Sequence, residues 1–201
     1  MKNWAFWGTC VVGFFVLGAF FANLSWLPGY LVKERGYTVM RSGLYLVIPY
    51  LAASVGGLLA GYLGDRVGNR SLIAFCAGIF MGPAMVGLML SRELTDVILL
   101  MSVTLFLNAA MANAVVILLF DTLPAEVLGI AMGLYIGLFG GMGGVVGPLI
   151  LGYSYDHTGS FFWGFASVGL GTSVVSFLLL PLFFQERRTR REKASRAAPA
   201  L

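Results

Sequence analysis

Six neutral polar side chains stand in stretches of this chain that are otherwise almost wholly apolar: Asn23, Tyr45, Thr104, Asn108, Asn113 and Tyr135. An unpaired amide or hydroxyl in an apolar medium is expensive, so each must face another helix or water. Such groups can hold a small polar molecule by hydrogen bonds, but they supply no nucleophile and no strong base. Thr104 and Asn108 lie one helical turn apart, and Asn23 and Asn113 occupy corresponding places in two similar segments. Two readings of the set stand side by side. Taken singly, each residue fits hydrogen bonding between helices, worth ~0.6 kcal/mol on average. Taken together, the six are the candidates for lining a small-molecule path.

Covalent and metal chemistry find no support in the residues. There is no Gly-x-Ser-x-Gly elbow, no His-Glu-x-x-His and no inward carboxylate pair. Cys10 and Cys76 both lie in apolar runs, no CxxC occurs, and the chain has a single histidine, so neither a disulfide framework nor a zinc site is expected. The chain reads as a non-enzyme without metal or cofactor. No basic face is interleaved with aromatics outside the apolar runs, so nucleic acid is not an expected partner.

The elements that must position these groups follow from composition. With 59% hydrophobic and 11% charged residues and a mean hydropathy of +0.88, the expected solvent and partner is a lipid bilayer. Six runs contain no Asp, Glu, Lys or Arg: roughly 4–27, 42–63, 71–90, 97–119, 129–152 and 161–184. Each matches the ~20 residues that a helix needs to cross the hydrocarbon layer, and lipid satisfies no backbone polar group, so all six are expected to be helices. Continuous apolar runs exclude a β-barrel. Lys2 leads directly into the first run with no small-residue cleavage site, which reads as a retained helix rather than a signal peptide. Positive charge sets the orientation. Placing the start inside puts Lys2, Arg66, Arg70 and the six basic residues of 187–196 on the cytoplasmic side, against Lys33, Arg35, Arg41 and Arg92 outside. The expectation is a multi-pass protein of the cell membrane with both termini cytoplasmic.

The chain also repeats itself. Gly43-Leu44-Tyr45 recurs as Gly133-Leu134-Tyr135, Ala22-Asn23 as Ala112-Asn113, and residues 61–68 share Gly-Tyr-x-x-Asp-x-x-Gly with residues 152–159. Three helices per copy turn the second copy upside down, giving an all-α integral membrane fold of six transmembrane helices in two inverted three-helix repeats. The expected division is a six-helix membrane domain over 1–185, with repeat one at about 1–90 and repeat two at about 91–185, followed by a disordered basic tail over 186–201. The fifth run carries a ladder, Gly129, Gly133, Gly137 and Gly141, and interior glycines cost up to ~1 kcal/mol each against Ala. Neighbouring backbones are therefore expected to approach that helix closely. Pro49 and Pro148 interrupt the middle run of each copy, which fits either static small-residue packing or helices that bend. Arg92, Glu93, Asp121 and Glu126 read as solvated helix ends and His157 as an exposed loop residue.

The stretch Gly61-Tyr62-Leu63-Gly64-Asp65-Arg66-Val67-Gly68-Asn69-Arg70 resembles the loop signature of the major facilitator superfamily. Leu123-Pro124-Ala125-Glu126, then Gly147-Pro148 and Gly152-x-x-x-Asp156-x-x-Gly159, are similar to the region of the fourth and fifth helices of that superfamily's C-terminal half. Trp26-Leu27-Pro28-Gly29-Tyr30-Leu31 is similar to a segment of the anion:cation symporter branch, from which this chain departs at Gly29 and in its glycine-dense fifth helix. The resemblance covers residues 3–184 and implies half of a carrier that works by alternating access on a small solute, with an N-terminal six-helix half as the missing partner. It implies that Gly61, Gly64, Asp65, Arg66, Gly68 and Arg70 form a conformational latch, the carboxylate gaining ~0.3–1 kcal/mol at a helix N-terminus of the other half. The other reading of the same loop is an ordinary charged turn. No Asp, Glu, Lys or Arg lies within the six runs, so for an ion-coupled symporter the coupling ion would meet its residues in the other half. The remaining alternative is a truncated, non-transporting membrane protein.

Overall fold

The computed structural model describes residues 3–184 and Glu186, all but the short connections in helices. Lys2 and the basic tail lie outside the described residues. The helices are α1 (Asn3–Lys33), α2 (Val39–Val67), α3 (Arg70–Leu90), α4 (Leu94–Thr122), α5 (Ala125–Thr158) and α6 (Phe162–Phe184). All six are long and apolar enough to span a bilayer. Even α3, with 21 residues, rises about 31 Å.

Several helices outrun the charge-free runs. α1 continues through Pro28 to Lys33, and α5 reaches from Ala125 to Thr158. A charge-free run marks the hydrocarbon layer, whereas the helix itself ends only where a residue breaks the hydrogen-bond ladder. That break comes at Gly68, φ +68°, and at Gly159, φ +69°. The N–H of Gly68 closes on the Gly64 carbonyl and that of Gly159 on Tyr155, both at 2.8 Å. These are left-handed C-terminal caps 91 positions apart, so the two copies share a backbone corner as well as letters. The stretch 61–67, read from sequence as loop, is the last two turns of α2, and only Gly68 and Asn69 connect α2 to α3.

Packing repeats as the corners do. α2 lies along α4 as α5 lies along α1, α3 packs on α4 as α6 packs on α1, and α3 meets α6. Exchanging α1 with α4, α2 with α5 and α3 with α6 maps this neighbour list onto itself, as inverted repeats require. α2 and α5 are the least buried helices, each leaning on its neighbour by one stripe.

That stripe is where close approach occurs. A Cβ on Gly147 would lie 2.7 Å from the Gly18 carbonyl carbon, one on Gly143 would lie 2.9 Å from that of Phe14, and one on Gly56 would lie 3.0 Å from that of Phe106. The ladder does not take part: at Gly129, Gly133, Gly137 and Gly141 a Cβ would meet open space. The close approach expected of the fifth helix is made by other glycines on the opposite face. Pro49 and Pro148 also fail to interrupt their helices, which run on through both. Near Pro148, Trp26 of α1 donates from Nε1 to the proline carbonyl at 2.9 Å. Between Gly133 and Gly140 α5 widens into a π-helix, with Tyr135 buried against Gly13 of α1.

Candidate functional site

One end of the bundle, here the motif end, carries the starts of α1, α3 and α5 and the ends of α2, α4 and α6. There Arg70 opens α3 and is largely covered. Its Nη2 sits 2.9 Å from Asp65 Oδ1 on α2, and its Nε 2.5 Å from Asp121 Oδ2 on α4. One guanidinium fork thus ties three helix ends, which its five donors in a fixed plane allow. The arginine stem lies along Gly64, where a Cβ would stand in ordinary contact, 3.4 Å from Arg70 Cγ. Arg66 is exposed and donates to the Tyr62 hydroxyl at 3.4 Å, and Gly61 faces open space. Glu186, beyond the end of α6, accepts from the Ser71 backbone N–H at 3.1 Å and from the Ser71 hydroxyl, placing a carboxylate at the positive end of α3.

The opposite end has a matching set. Glu34 accepts from the Phe161 N–H at 2.5 Å and so caps α6, as Glu186 caps α3. Arg35 donates to the Tyr30 hydroxyl at 2.8 Å and to the carbonyls of Ser91 and Arg92, where α3 ends. Lys33 places its ammonium 4.3 Å from the centre of the Tyr155 ring. Sequence reading left Asp121 as a solvated end, counted Arg35 only as a charge of the outer face, and gave Glu34 and Glu186 no role. Local sequence offers no signal for them; only the topology brings Asp121 and Glu186 to the start of α3, Glu34 to the start of α6 and Arg35 to the end of α3.

The six polar candidates do not converge on one surface. Asn23, Thr104, Asn108 and Tyr135 are buried inside the bundle, each with an oxygen that has no hydrogen-bond partner. Tyr45 is half-buried, edge-on to Tyr37. Asn113 is exposed on α4 beside Gly57, with its amide nitrogen bonded to the Ala109 carbonyl at 3.1 Å. The sequence symmetry of Asn23 and Asn113 therefore does not extend to their surroundings.

Asn113 fixes the nature of one face. It lies nine residues from the Thr122 end of α4, about 13 Å of helix rise, well inside the span. A carboxamide oxygen exposed there cannot be left to lipid, because an unpaired amide in hydrocarbon costs about 4–8 kcal/mol on an alkane scale. That side of α4 must therefore meet water or protein.

A family model described as Major Facilitator Superfamily matches residues 9–200. The chain belongs to this superfamily. It is 32% identical over 168 residues to a probable galactarate/D-glucarate transporter, GudP, of Bacillus subtilis, covering 78% of this chain and 36% of that protein. It is 28% identical over 179 residues to a probable galactarate/D-glucarate transporter, GarP, of Escherichia coli K12, covering 83% of this chain and 39% of that protein. To a probable sulfoacetate transporter, SauU, of Cupriavidus necator it is 28% identical over 191 residues, covering 88% and 43%. The chain thus spans about two fifths of the length of these superfamily relatives. Six membrane-crossing helices and this membership make it a multi-pass membrane protein.

Proposed function

We propose that this chain is one six-helix lobe of a secondary carrier that moves a small organic anion by alternating access, in concert with a second six-helix lobe. The observation that carries the reading is Asn113, a carboxamide exposed at hydrocarbon depth on α4. It is compatible with a bilayer if that face turns away from lipid, towards a second lobe and the watered path between the two. The open glycine ladder of α5 leaves that helix free to take a partner backbone. Relatives named for galactarate, D-glucarate and sulfoacetate support small organic anions as the solute class. The tie of Arg70 to Asp65 and Asp121 supports the latch role of the motif, with the motif end and both termini in the cytoplasm. Coupling ions would bind on the partner lobe, since the apolar runs of this chain hold no Asp, Glu, Lys or Arg.

The test is cysteine accessibility. In a Cys10→Ala, Cys76→Ala background, Asn113→Cys should react with a charged, water-borne thiol reagent when the chain is co-expressed with the N-terminal six-helix lobe of a relative. Added galactarate should slow the reaction, while a Leu58→Cys control on the exposed face of α2 stays unlabelled. Reaction of Asn113→Cys only with lipid-soluble reagents would refute the path. A path that forms without galactarate protection, and no uptake by the pair, would favour a non-transporting membrane protein.

A further inference from the structure

The apolar core of the bundle is divided in two. One cluster, nearer the motif end, holds Val12, Val16, Ala77 and Met111, and the other holds Ala19, Ala22, Met81 and Met101. Three polar residues are buried on α1 and α4 around this division: Asn108, at 1% exposure, stands between the two clusters, and Asn23 and Thr104, at 0%, stand among the second. The Asn108 amide of α4 donates across to the Val16 carbonyl of α1 at 3.2 Å, and the Asn23 amide donates to the Ala19 carbonyl at 2.8 Å. Those two carbonyls are three residues apart on one helix, hence neighbours on its surface, so the two carboxamides lie within about one turn of each other. With both nitrogens committed, both oxygens are left over. Neither Asn23 Oδ1 nor Asn108 Oδ1 has a partner, and neither has Thr104 Oγ1, one turn from Asn108. Side chains lean towards the N-terminus of their own helix, and α1 and α4 run antiparallel, so Asn23 and Asn108 lean towards a common level near Thr104.

We propose that the space between Asn23, Thr104 and Asn108 is a binding site for one water molecule, which accepts from the Thr104 hydroxyl and donates to Asn23 Oδ1 and Asn108 Oδ1. The donor count selects the ligand. Two carboxamide oxygens need two O–H donors and the hydroxyl needs an acceptor, and a single water supplies all three, the usual number for a buried one. A metal cation would receive three neutral oxygens and no counter-charge, since the apolar runs contain no carboxylate. The water joins the first helix of one repeat to the first helix of the other at mid-span. This assignment depends only on the packing of this chain and stands apart from the transport reading.

Two measurements on the whole chain in nanodiscs test it. The first is radiolytic footprinting, in which a bound water becomes a hydroxyl radical source under a brief X-ray pulse. Met81, whose sulfur lies 3.7 Å from Asn108 Nδ2, should oxidise several-fold faster than Met111, although both are fully buried. Equal protection of the two would overturn the proposal. The second is thermal unfolding of Asn23→Leu, Thr104→Val, Asn108→Leu and the triple variant, with Thr104→Ser as the conservative change. Each single variant strands the remaining oxygens and should lower the midpoint by several degrees, the triple should lose far less than the sum, and Thr104→Ser should stay close to the parent. Additive losses would separate the three residues. A midpoint raised by sodium over choline, and insensitive to sodium in Thr104→Val, would replace the water with a cation and sink the assignment.

Discussion

Gly147 and Gly137 lie on the same helix, yet the structure assigns their alanine variants opposite signs. A Cβ on Gly147 would stand 2.7 Å from the carbonyl carbon of Gly18 and 3.0 Å from its Cα, both backbone atoms that cannot turn aside. Carbon atoms sit comfortably at about 3.5–4.0 Å, so α1 and α5 would have to part by roughly 1 Å along their contact. A gap of that size forfeits a quarter to a half of each pairwise attraction it touches, and overpacking of this kind costs about 1–3 kcal/mol. The favourable term, alanine's helix propensity over glycine, is at most ~1 kcal/mol and is outweighed. At Gly137 nothing stands within 4 Å, so only the favourable term remains. Thermal unfolding of the purified chain, followed by size-exclusion chromatography of a fluorescent fusion, should show Gly147→Ala less stable than the parent and Gly137→Ala equal to it or more stable. The reasoning fails if the two variants shift the midpoint in the same direction by similar amounts.

The charged corner makes a second prediction. In a double-mutant cycle on unfolding, Arg70→Gln should couple more strongly to Asp121→Asn than to Asp65→Asn, because Asp121 is the closer partner and is 49% exposed against 73%. Both couplings should stay below about 1 kcal/mol, as for other partly solvated pairs. A larger coupling to Asp65 would contradict the geometry. A third prediction concerns topology: cysteines placed at Asn69 and at Ser160 should label from opposite sides of the bilayer. Labelling from one side would dismantle the inverted repeat.

The spans were legible because hydrocarbon imposes one requirement on every residue it surrounds, and the charge-free runs record it directly. The corners were legible for a similar reason, since only glycine adopts φ near +68° without strain, and Gly68 and Gly159 therefore stand out as letters. Direction was not legible. A glycine shows that a side chain is missing, not whether a neighbour has moved into the space, so Gly137 and Gly147 look alike in sequence and face opposite surroundings. The polar candidates suffer from the same limit. Asn23 and Asn113 match in register, but α1 is enclosed by α4, α5 and α6, whereas the Asn113 side of α4 opens at the surface. The roles of Asp121, read as a solvated helix end, and of Glu186 were not legible because their partners, Arg70 and Ser71, lie 51 and 115 residues away along the chain.

These attachments are not evenly shared. α3 is held at the motif end by Arg70 and Glu186 and at the other end by Arg35 on the Ser91 and Arg92 carbonyls just past its last residue. α6 is capped by Glu34 at its start. α2 has the Asp65–Arg70 pair at one end, an exposed pair worth little, and otherwise one stripe of small residues against α4. α5 has Trp26 and Lys33 near its far end and the stripe of Gly143 and Gly147, while its first turns, ahead of Tyr135, present Gly129 and Gly133 to open space. Local opening is cheapest where buried contacts are fewest. The start of α5, from Ala125 to Leu134, is therefore the segment of that helix that can bend at least cost, and Tyr135, locked against Gly13, marks where the fixed part begins. Proton exchange measured along α5 should rise sharply on the motif-end side of Tyr135, and uniform protection from Ala125 to Thr158 would count against this division.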